Sequence, residues 1–214
     1  MIIFVSDAYS EHYSGGAELT TDAIISQSLF PVNKILSKQV TLDLMERHKD
    51  DFWIFGNFSG IDLNCILYAA KNLRYSVIEY DYKFCKDRSI KKHEEVEGRC
   101  DCDRKKVGKL IAAFLAKSQM NFWMSREQCK VYTDYFPFIT NNTVLSSVFS
   151  DSTLEYLSGL NTKEKNEKWI ILDSPSWIKG KEKAIAYAEE HNLEYELVWG
   201  LQHKQLLDKL AKSK

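Results

Sequence analysis

Short, almost wholly apolar segments alternate with amphipathic segments along most of this sequence, and this alternation restricts the possible folds more than any other feature. Strands that lack a polar face are typical of a parallel sheet covered by helices on both sides. The predicted strands are residues 2–6, 32–36, 52–55, 76–81, 121–124, 143–147, 169–172 and 195–199. The predicted helices are residues 17–29, 41–48, 61–71, 105–117, 126–135, 181–191 and 203–212. We therefore predict an α/β fold with a Rossmann-like parallel sheet and helices on both faces, followed by a partial second α/β unit.

The composition is that of a globular protein, and its charge excludes some classes of partner. Hydrophobic residues make up 44% of the 214 residues, which is enough for one large or two small cores. The 29 basic and 30 acidic residues give a formal net charge of -1, so we expect no nucleic acid partner. No apolar run approaches the length of a transmembrane helix, and the sequence begins with a predicted strand in place of a signal peptide. We expect a cytoplasmic protein without a transmembrane segment.

The stretch GLNTKEKNEK, at residues 159–168, separates two predicted domains. It is rich in charged residues and has almost no apolar ones, which is typical of an exposed connection. We predict a first domain over residues 1–158, a linker over residues 159–168 and the beginning of a second domain over residues 169–214. Two strands and two helices bury too little surface for an independent core, so we expect this second domain to be incomplete and to allow self-association.

A glycine pair, Gly15 and Gly16, lies where the first predicted strand gives way to the first predicted helix. Ligands of open parallel sheets bind beyond the carboxyl ends of the strands, where glycine lets backbone N–H groups approach an anion closely. A glycine pair also makes a tight turn between a strand and a helix, and the sequence leaves both explanations open. The spacing differs from the dinucleotide-binding pattern G-x-G-x-x-G, which argues against a nicotinamide or flavin enzyme.

Four motifs resemble, in their order, those of retaining glycosyltransferases with the GT-B architecture, the glycogen-synthase-like and mannosyltransferase-like group. The motifs are SGGAE at residues 14–18, WMSREQ at residues 123–128, TNNTVLSSVF at residues 140–149 and WIILDSPSWIKGKEKAIAYA at residues 169–188. The resemblance implies that residues 1–158 form the acceptor-side domain and that residues 169–214 begin the nucleotide-sugar domain. It also implies transfer of a sugar from a nucleoside diphosphate sugar to a carbohydrate or other acceptor, with no further cofactor.

The resemblance assigns the donor diphosphate to four residues, on both sides of a cleft between the domains. Gly15 and Gly16 match the glycine loop of the family, and Lys179 and Gly180 match the Lys-Gly pair before a helix of the nucleotide-sugar domain. A lysine beside a helix N-terminus would stabilise a departing diphosphate, although Lys179 is equally well explained as a solvated loop residue.

This sequence departs from the family pattern in three places. The loop at residues 174–177 lacks the arginine of many relatives, and Tyr80-Asp81 stands where relatives often have His-Asp. The sequence also ends before the glycine-rich segment and the glutamate pair of the donor domain, so we expect the 214-residue chain to be inactive alone. A non-catalytic α/β module that binds carbohydrate or protein is the alternative function.

Three residues are candidates for catalysis. Glu79 and Asp81 end the fourth predicted strand at the edge where ligands bind, which makes them candidate acceptor-binding or general-base groups. His12 lies between the first strand and the glycine pair, where it would face an acceptor or be merely solvated.

A cysteine- and histidine-rich segment, CKDRSIKKHEEVEGRCDC at residues 85–102, is not explained by the resemblance. An odd total of five cysteines and the lack of a signal peptide argue against a disulfide framework. Cys85, His93, Cys100 and Cys102 instead form the ligand set of a possible tetrahedral structural zinc site in a charged, loop-like insertion. Because the C-x7-H-x6-C-x-C spacing is not a standard zinc pattern, free thiols or a Cys100–Cys102 interaction stay open as alternatives.

Overall fold

The computed structural model describes residues 1–11, 15–160, 165, 166 and 168–213, which form two compact units, Met1–Val148 and Phe149–Lys214. Each unit is described by itself below. Within these ranges, no helix combines the length and the apolar character needed to cross a membrane.

The first unit is a six-stranded parallel sheet with helices between the strands. Its strands are β1 (Ile2–Ser6), β2 (Val32–Leu36), β3 (Phe52–Phe55), β4 (Arg74–Glu79), β5 (Asn121–Trp123) and β6 (Asn142–Val144). Its helices are α1 (Gly16–Ser26), α2 (Leu42–Arg47), α3 (Leu63–Asn72), α4 (Ile90–Glu97), α5 (Lys106–Lys117) and α6 (Arg126–Tyr135). The strand order is β2-β1-β3-β4-β5-β6, and all neighbouring strands are parallel. The predicted α/β fold with a Rossmann-like parallel sheet is therefore confirmed.

Both faces of this sheet are buried, as the unbroken apolar strands predict. Ile3 and Val5 of β1 point into the larger core, whereas Phe4 between them belongs to a smaller cluster on the other face. In the larger core, the rings of Tyr75 and Phe114 stack with their centroids 4.6 Å apart, and the Tyr75 hydroxyl donates to the Phe114 carbonyl oxygen. Burial of this kind contributes about 25 cal/mol per Å² of apolar surface and is the main stabilising term of the sheet.

The order of the strands reverses at one place in the first unit, and this place locates the candidate site. The chain runs from β1 outward to β2 and then returns to place β3 on the opposite side of β1. This place at the carboxyl edge, between β1 and β3, is where doubly wound sheets form their ligand-binding crevice.

The described part of the second unit contains a two-stranded parallel sheet and three helices. Its elements are α7 (Asp151–Leu160), β7 (Trp169–Leu172), α8 (Lys181–Glu190), β8 (Tyr195–Val198) and α9 (His203–Lys212). Ile171, Ala188 and Val198 are buried, whereas Trp169 and Trp199 are exposed.

Two helices were missing from the sequence prediction. The first is α4, which lies in the cysteine-rich insertion that was predicted to be loop-like. Ser89 is the N-cap of α4, and its side chain accepts a hydrogen bond from the Lys92 N–H. Charged residues fill this helix and its only buried side chain is His93, so the sequence shows no apolar stripe there. The second missing helix is α7, whose hydrophobic residues are mostly exposed or half-buried.

Candidate functional site

Asp7, the first residue after β1, joins three loops at the carboxyl edge of the sheet. Its carboxylate accepts hydrogen bonds from the Ser59 and Gly60 N–H groups at 3.2 and 3.1 Å, and from the hydroxyls of Ser37 and Ser59. Burial raises the pKa of Asp7, but these four donors outweigh burial and hold the pKa below its ordinary value. Asp7 is therefore an anion that ties together the carboxyl ends of β1, β2 and β3.

Arg88 reaches the same crevice from the loop that follows β4. Its guanidinium pairs with Asp81 and donates hydrogen bonds to the Ser59 hydroxyl at 3.1 Å and to the Asn57 side-chain oxygen at 2.8 Å. It also lies 3.9 Å from an Asp7 carboxylate oxygen. Arg88 thus bridges the ends of β1, β3 and β4, and its backbone is in the left-handed region with φ of 52°.

Lys83 is buried between two acids, Glu79 and Asp81. Lys83 Nζ lies 3.1 Å from a carboxylate oxygen of each acid. Burial raises the pKa of Glu79 to about 8 even though the Lys83 charge opposes that shift. Burial also raises the pKa of Asp81, but Lys83 and Arg88 outweigh it and the pKa lies below its ordinary value.

These two acids, both predicted as catalytic candidates, differ in access to solvent. Glu79 is completely buried, and its Oε2 has no hydrogen-bond partner in the part of the chain that the structure describes. The Asp81 side chain retains 22% of its exposure. Of the two carboxylates, only that of Asp81 is open to a ligand. The third candidate, His12, lies outside the described residues.

The glycine pair lies at the start of α1. Gly15 caps α1 with φ of -92° and ψ of 171°, an extended conformation that any residue adopts. A Cβ built on Gly16 would meet nothing within 4 Å, so packing does not require glycine there either. Among the described residues, neither the Gly15 backbone nor the packing around Gly16 therefore requires glycine. The Glu18 carboxylate lies at the start of α1, against the Gly15 and Glu18 N–H groups.

Lys179 and Gly180 belong to the second unit, between β7 and α8. Lys179 is exposed at the end of a short 3-10 turn, Trp177–Lys179. Gly180 has φ of 68° and ψ of 27°, the left-handed conformation that favours glycine, and it forms the N-cap of α8. The backbone alone accounts for Gly180, whereas the Lys179 ammonium is available to a ligand.

Cys85, His93, Cys100 and Cys102 come together in the first unit as a candidate metal centre. All four side chains are buried, and their ligand atoms lie within 4.8 Å of one another. Cys85 Sγ is 3.8 Å from Cys100 Sγ and 3.4 Å from His93 Nδ1, which in turn is 3.5 Å from Cys102 Sγ. A buried Cys3His cluster of this size can hold a metal ion such as zinc.

The surroundings of the cluster suit a cation. Burial raises the pKa of Cys85 and of Cys100, the latter to about 12, so without a positive charge these sulfurs are thiols. Two acids lie next to the imidazole of His93. Asp87 is 3.6 Å from Nδ1, and Glu97 is 3.1 Å from Nε2 without the geometry of a hydrogen bond. The cluster therefore has nearby carboxylates to orient the imidazole and to balance a bound cation.

A scan against models of known protein families and a search of curated proteins each found no match. Functional conclusions for this chain therefore depend on the chemistry of its own residues.

Sequence reasoning missed Asp7, Lys83 and Arg88. Asp7 had a usable signal, because it directly follows the first apolar strand and so must lie at the carboxyl edge. Lys83 and Arg88 had none, since they lie within a charged run that reads as a solvated surface.

Proposed function

We propose that the first unit is the acceptor-side domain of a retaining GT-B-type glycosyltransferase, which transfers sugar from a nucleoside diphosphate sugar to a carbohydrate or other acceptor. The observation that carries the proposal is the reversal of strand order between β1 and β3, beside which lie the start of α1 and the network of Asp7, Asp81 and Arg88. Sugar hydroxyls are recognised by such a set of fixed carboxylates and a guanidinium.

In this proposal, different groups of the first unit bind the donor phosphate and the acceptor hydroxyl. The N–H groups at the start of α1 carry the positive end of the helix dipole and so suit a phosphate, which would displace the Glu18 carboxylate from the Gly15 and Glu18 N–H groups. Asp81, held as an anion by Lys83 and Arg88, is the carboxylate that contacts an acceptor hydroxyl. Glu79 acts through Lys83 as a positioning residue because it is buried.

Calorimetric titration of the chain with UDP, GDP and ADP tests the donor assignment. Gly16→Val adds side-chain atoms in front of the first N–H groups of α1, where the protein itself leaves space, so we expect loss of nucleotide binding with little loss of stability. Lys179→Ala tests the second unit separately, with the exposed Lys183→Ala on α8 as its matched control. Removing a hydrogen bond to a charged phosphate should weaken binding by about 10-fold.

Two results would contradict the proposal. The donor assignment is wrong if Gly16→Val and Lys179→Ala both bind a nucleoside diphosphate like the unchanged chain. Binding to a glycan array that is independent of nucleotide, combined with no calorimetric signal for any nucleotide, would favour the non-catalytic binding module.

We further propose that the cluster of Cys85, His93, Cys100 and Cys102 is a structural zinc centre. Bonds of about 2.3 Å to sulfur and about 2.0 to 2.1 Å to nitrogen in a tetrahedron place two sulfurs about 3.8 Å apart and a sulfur and a nitrogen about 3.6 Å apart. In this protein the Cys85 and Cys100 sulfurs are 3.8 Å apart. His93 Nδ1 is 3.4 Å from the Cys85 sulfur and 3.5 Å from the Cys102 sulfur. Four protein ligands leave no open position for catalysis. Because a cluster of reduced cysteines persists in a reducing compartment, the centre also supports a cytoplasmic location.

Elemental analysis and native mass spectrometry of the purified protein test the zinc centre. We expect about one zinc ion per chain, as one Cys3His set binds one ion. Cys102→Ser should lose the metal, whereas Cys65→Ser, which removes a buried thiol outside the cluster, should keep it. Less than about a tenth of an equivalent in the unchanged protein, after purification without chelator in the presence of zinc, would exclude the centre.

A further inference from the structure

The metal centre and the carboxyl-edge network share one short turn of the chain. Cys85, a ligand of the cluster, and Arg88, the bridge of the network, are three residues apart. The Arg88 N–H donates to the Cys85 carbonyl oxygen at 2.9 Å, and the Cys85 N–H donates to the Tyr82 carbonyl oxygen at 2.8 Å. Two consecutive tight turns therefore couple the position of the Arg88 side chain to that of the Cys85 side chain.

The backbone of this turn needs an external constraint. Arg88 has φ of 52°, and a side-chain-bearing residue held in the left-handed region costs on the order of 1 kcal/mol or more. Phe84 anchors the beginning of the turn in the core, but Lys86 is half exposed and Asp87 and Arg88 are only partly buried. Beyond Phe84, the inward attachment of the turn is the Cys85 sulfur, which lies in the cluster.

Helix α4, which follows the turn, also depends on a cluster residue for its attachment to the fold. His93 is the only buried residue of α4, while Val96 on that helix is largely exposed. A charged helix of eight residues has too little propensity to form alone. Ligation of His93 would therefore attach α4 to the fold and close the segment that follows Arg88.

The network that Arg88 completes also shapes a cavity. A cavity of about 240 Å³ opens beside the turn, and one wall of it is built from Lys83, Cys85, Lys86 and Arg88. The facing walls come from α3, α5 and the loop after β3, which includes Phe58 and Ser59. A change in the turn therefore changes both the polar network and the shape of this cavity.

We infer that the metal centre positions Arg88, so that metal loading determines whether the end of β4 is joined to the ends of β1 and β3 at the carboxyl edge. This inference rests on the proposed zinc centre and does not depend on the glycosyltransferase proposal. Zinc bonded to Cys85 fixes the turn, the turn holds the guanidinium between Asp81 and Asn57, and the guanidinium keeps Ser59 and Asp7 in register. Arg88 acts here as a positioning residue.

Hydrogen exchange followed by NMR measures this coupling without any ligand. The reporters are the Arg88 Nε–H, which donates to Asp81 at 2.6 Å, and the Gly60 N–H, which donates to Asp7. On removal of zinc by a chelator, we expect exchange of both to accelerate by about 10-fold or more, while the Asn121 N–H, bonded within the sheet, changes little. Readdition of zinc should restore the slow exchange.

Two variants separate positioning from general destabilisation. Arg88→Ala should accelerate Gly60 exchange in the zinc-loaded protein without loss of zinc, and Arg88→Lys should restore it only in part because lysine lacks the planar fork. Arg74→Ala is the matched control, since Arg74 donates to the Asp50 carbonyl oxygen at the amino end of β4 and should leave Gly60 unchanged.

The outcomes distinguish the two proposals. If no zinc binds, the zinc centre itself is wrong. If zinc binds but its removal changes Arg88 and Gly60 exchange by less than about twofold, the centre stands and the coupling to the edge is overturned. Acceleration of Asn121 to the same degree would mean that zinc only stabilises the whole unit, which also overturns the coupling.

Discussion

Gly108→Ala is expected to break the metal centre although Gly108 is not a ligand. Gly108 lies in α5, where alanine would ordinarily stabilise the helix by about 1 kcal/mol. A Cβ at this position would overlap the carbonyl oxygen of Cys102 and lie 2.8 Å from its carbonyl carbon. The atoms it meets belong to the backbone of a metal ligand, so no flexible side chain can move aside.

The size of the effect follows from that overlap. Lengthening the Cβ–oxygen distance from 1.9 Å to 3.0 Å requires the Cys102 carbonyl to move by about 1.1 Å, whereas a metal site tolerates about 0.2 Å in its bond lengths. Overpacking alone costs about 1–3 kcal/mol, which cancels or exceeds the gain in helix propensity. We expect zinc affinity to fall by at least about 100-fold, and the zinc-dependent part of the stability to fall by about 2.7 kcal/mol at saturating metal.

Competition for zinc with a chromophoric chelator, together with urea unfolding in the presence of zinc, measures both quantities. Gly159→Ala in α7 is the matched control, because a Cβ there meets nothing within 4 Å and should be neutral or stabilising. The reasoning is refuted if Gly108→Ala binds zinc as tightly as the unchanged protein and gains as much stability as Gly159→Ala.

Three further perturbations have defined outcomes. Burial raises the pKa of Glu79 from 4.5 to about 8, so the folded protein holds the Glu79 proton more tightly than the unfolded chain does. The stability that this proton contributes is complete below about pH 4.5 and is lost as pH rises towards 8. Glu79→Gln should flatten the decrease in the free energy of unfolding with pH, measured by urea titrations from pH 5 to 8, and this decrease is at most about 5 kcal/mol. A decrease equal to that of the unchanged protein would contradict the assignment. Asn121→Ala should cost about 1–3 kcal/mol because the buried Nδ2 donates to the Leu115 and Asn141 carbonyl oxygens, and a loss no greater than that of the exposed Asn64→Ala would argue against this network. In the zinc-loaded protein a thiol reagent should modify the partly exposed Cys129 first and reach Cys85, Cys100 and Cys102 only after chelation, so equal rates with and without chelator would show that these thiols are unprotected.

The sheet was predictable because its signal is local. Strands β1 and β3 are short, almost wholly apolar runs, and β1 contributes side chains to the cores on both faces of the sheet. Strands β2 and β6 contain more polar residues and gave a weaker signal. Helix α4 was not predictable in this way, because a single buried residue, His93, gives no periodic pattern. The pairing order of the strands was likewise not contained in any one segment.

The candidate sites were predictable to different degrees. The residue types Cys85, His93, Cys100 and Cys102 indicated a ligand set by composition alone, and the fold then brought their ligand atoms within 4.8 Å. Arg88 escaped notice because its partners, such as Asp7 and Asn57, lie 31 or more positions away in sequence. Networks between loops of different strands depend on the order of the sheet, which no local pattern encodes.

The two sheets of this protein differ in how they resist pairing with foreign strands. In the six-stranded sheet the outer strands are β2 and β6, and both are poor templates, because β2 presents exposed Asn33 and Lys34 and β6 has only three residues. In the sheet of the second unit each strand has only one partner among the described residues, and the exposed Trp169 of β7 and Leu197 of β8 are strand-forming side chains. A strand added from another polypeptide would therefore extend the second sheet more readily than the first. During folding at high concentration, the region around β7 and β8 is where intermolecular association would begin.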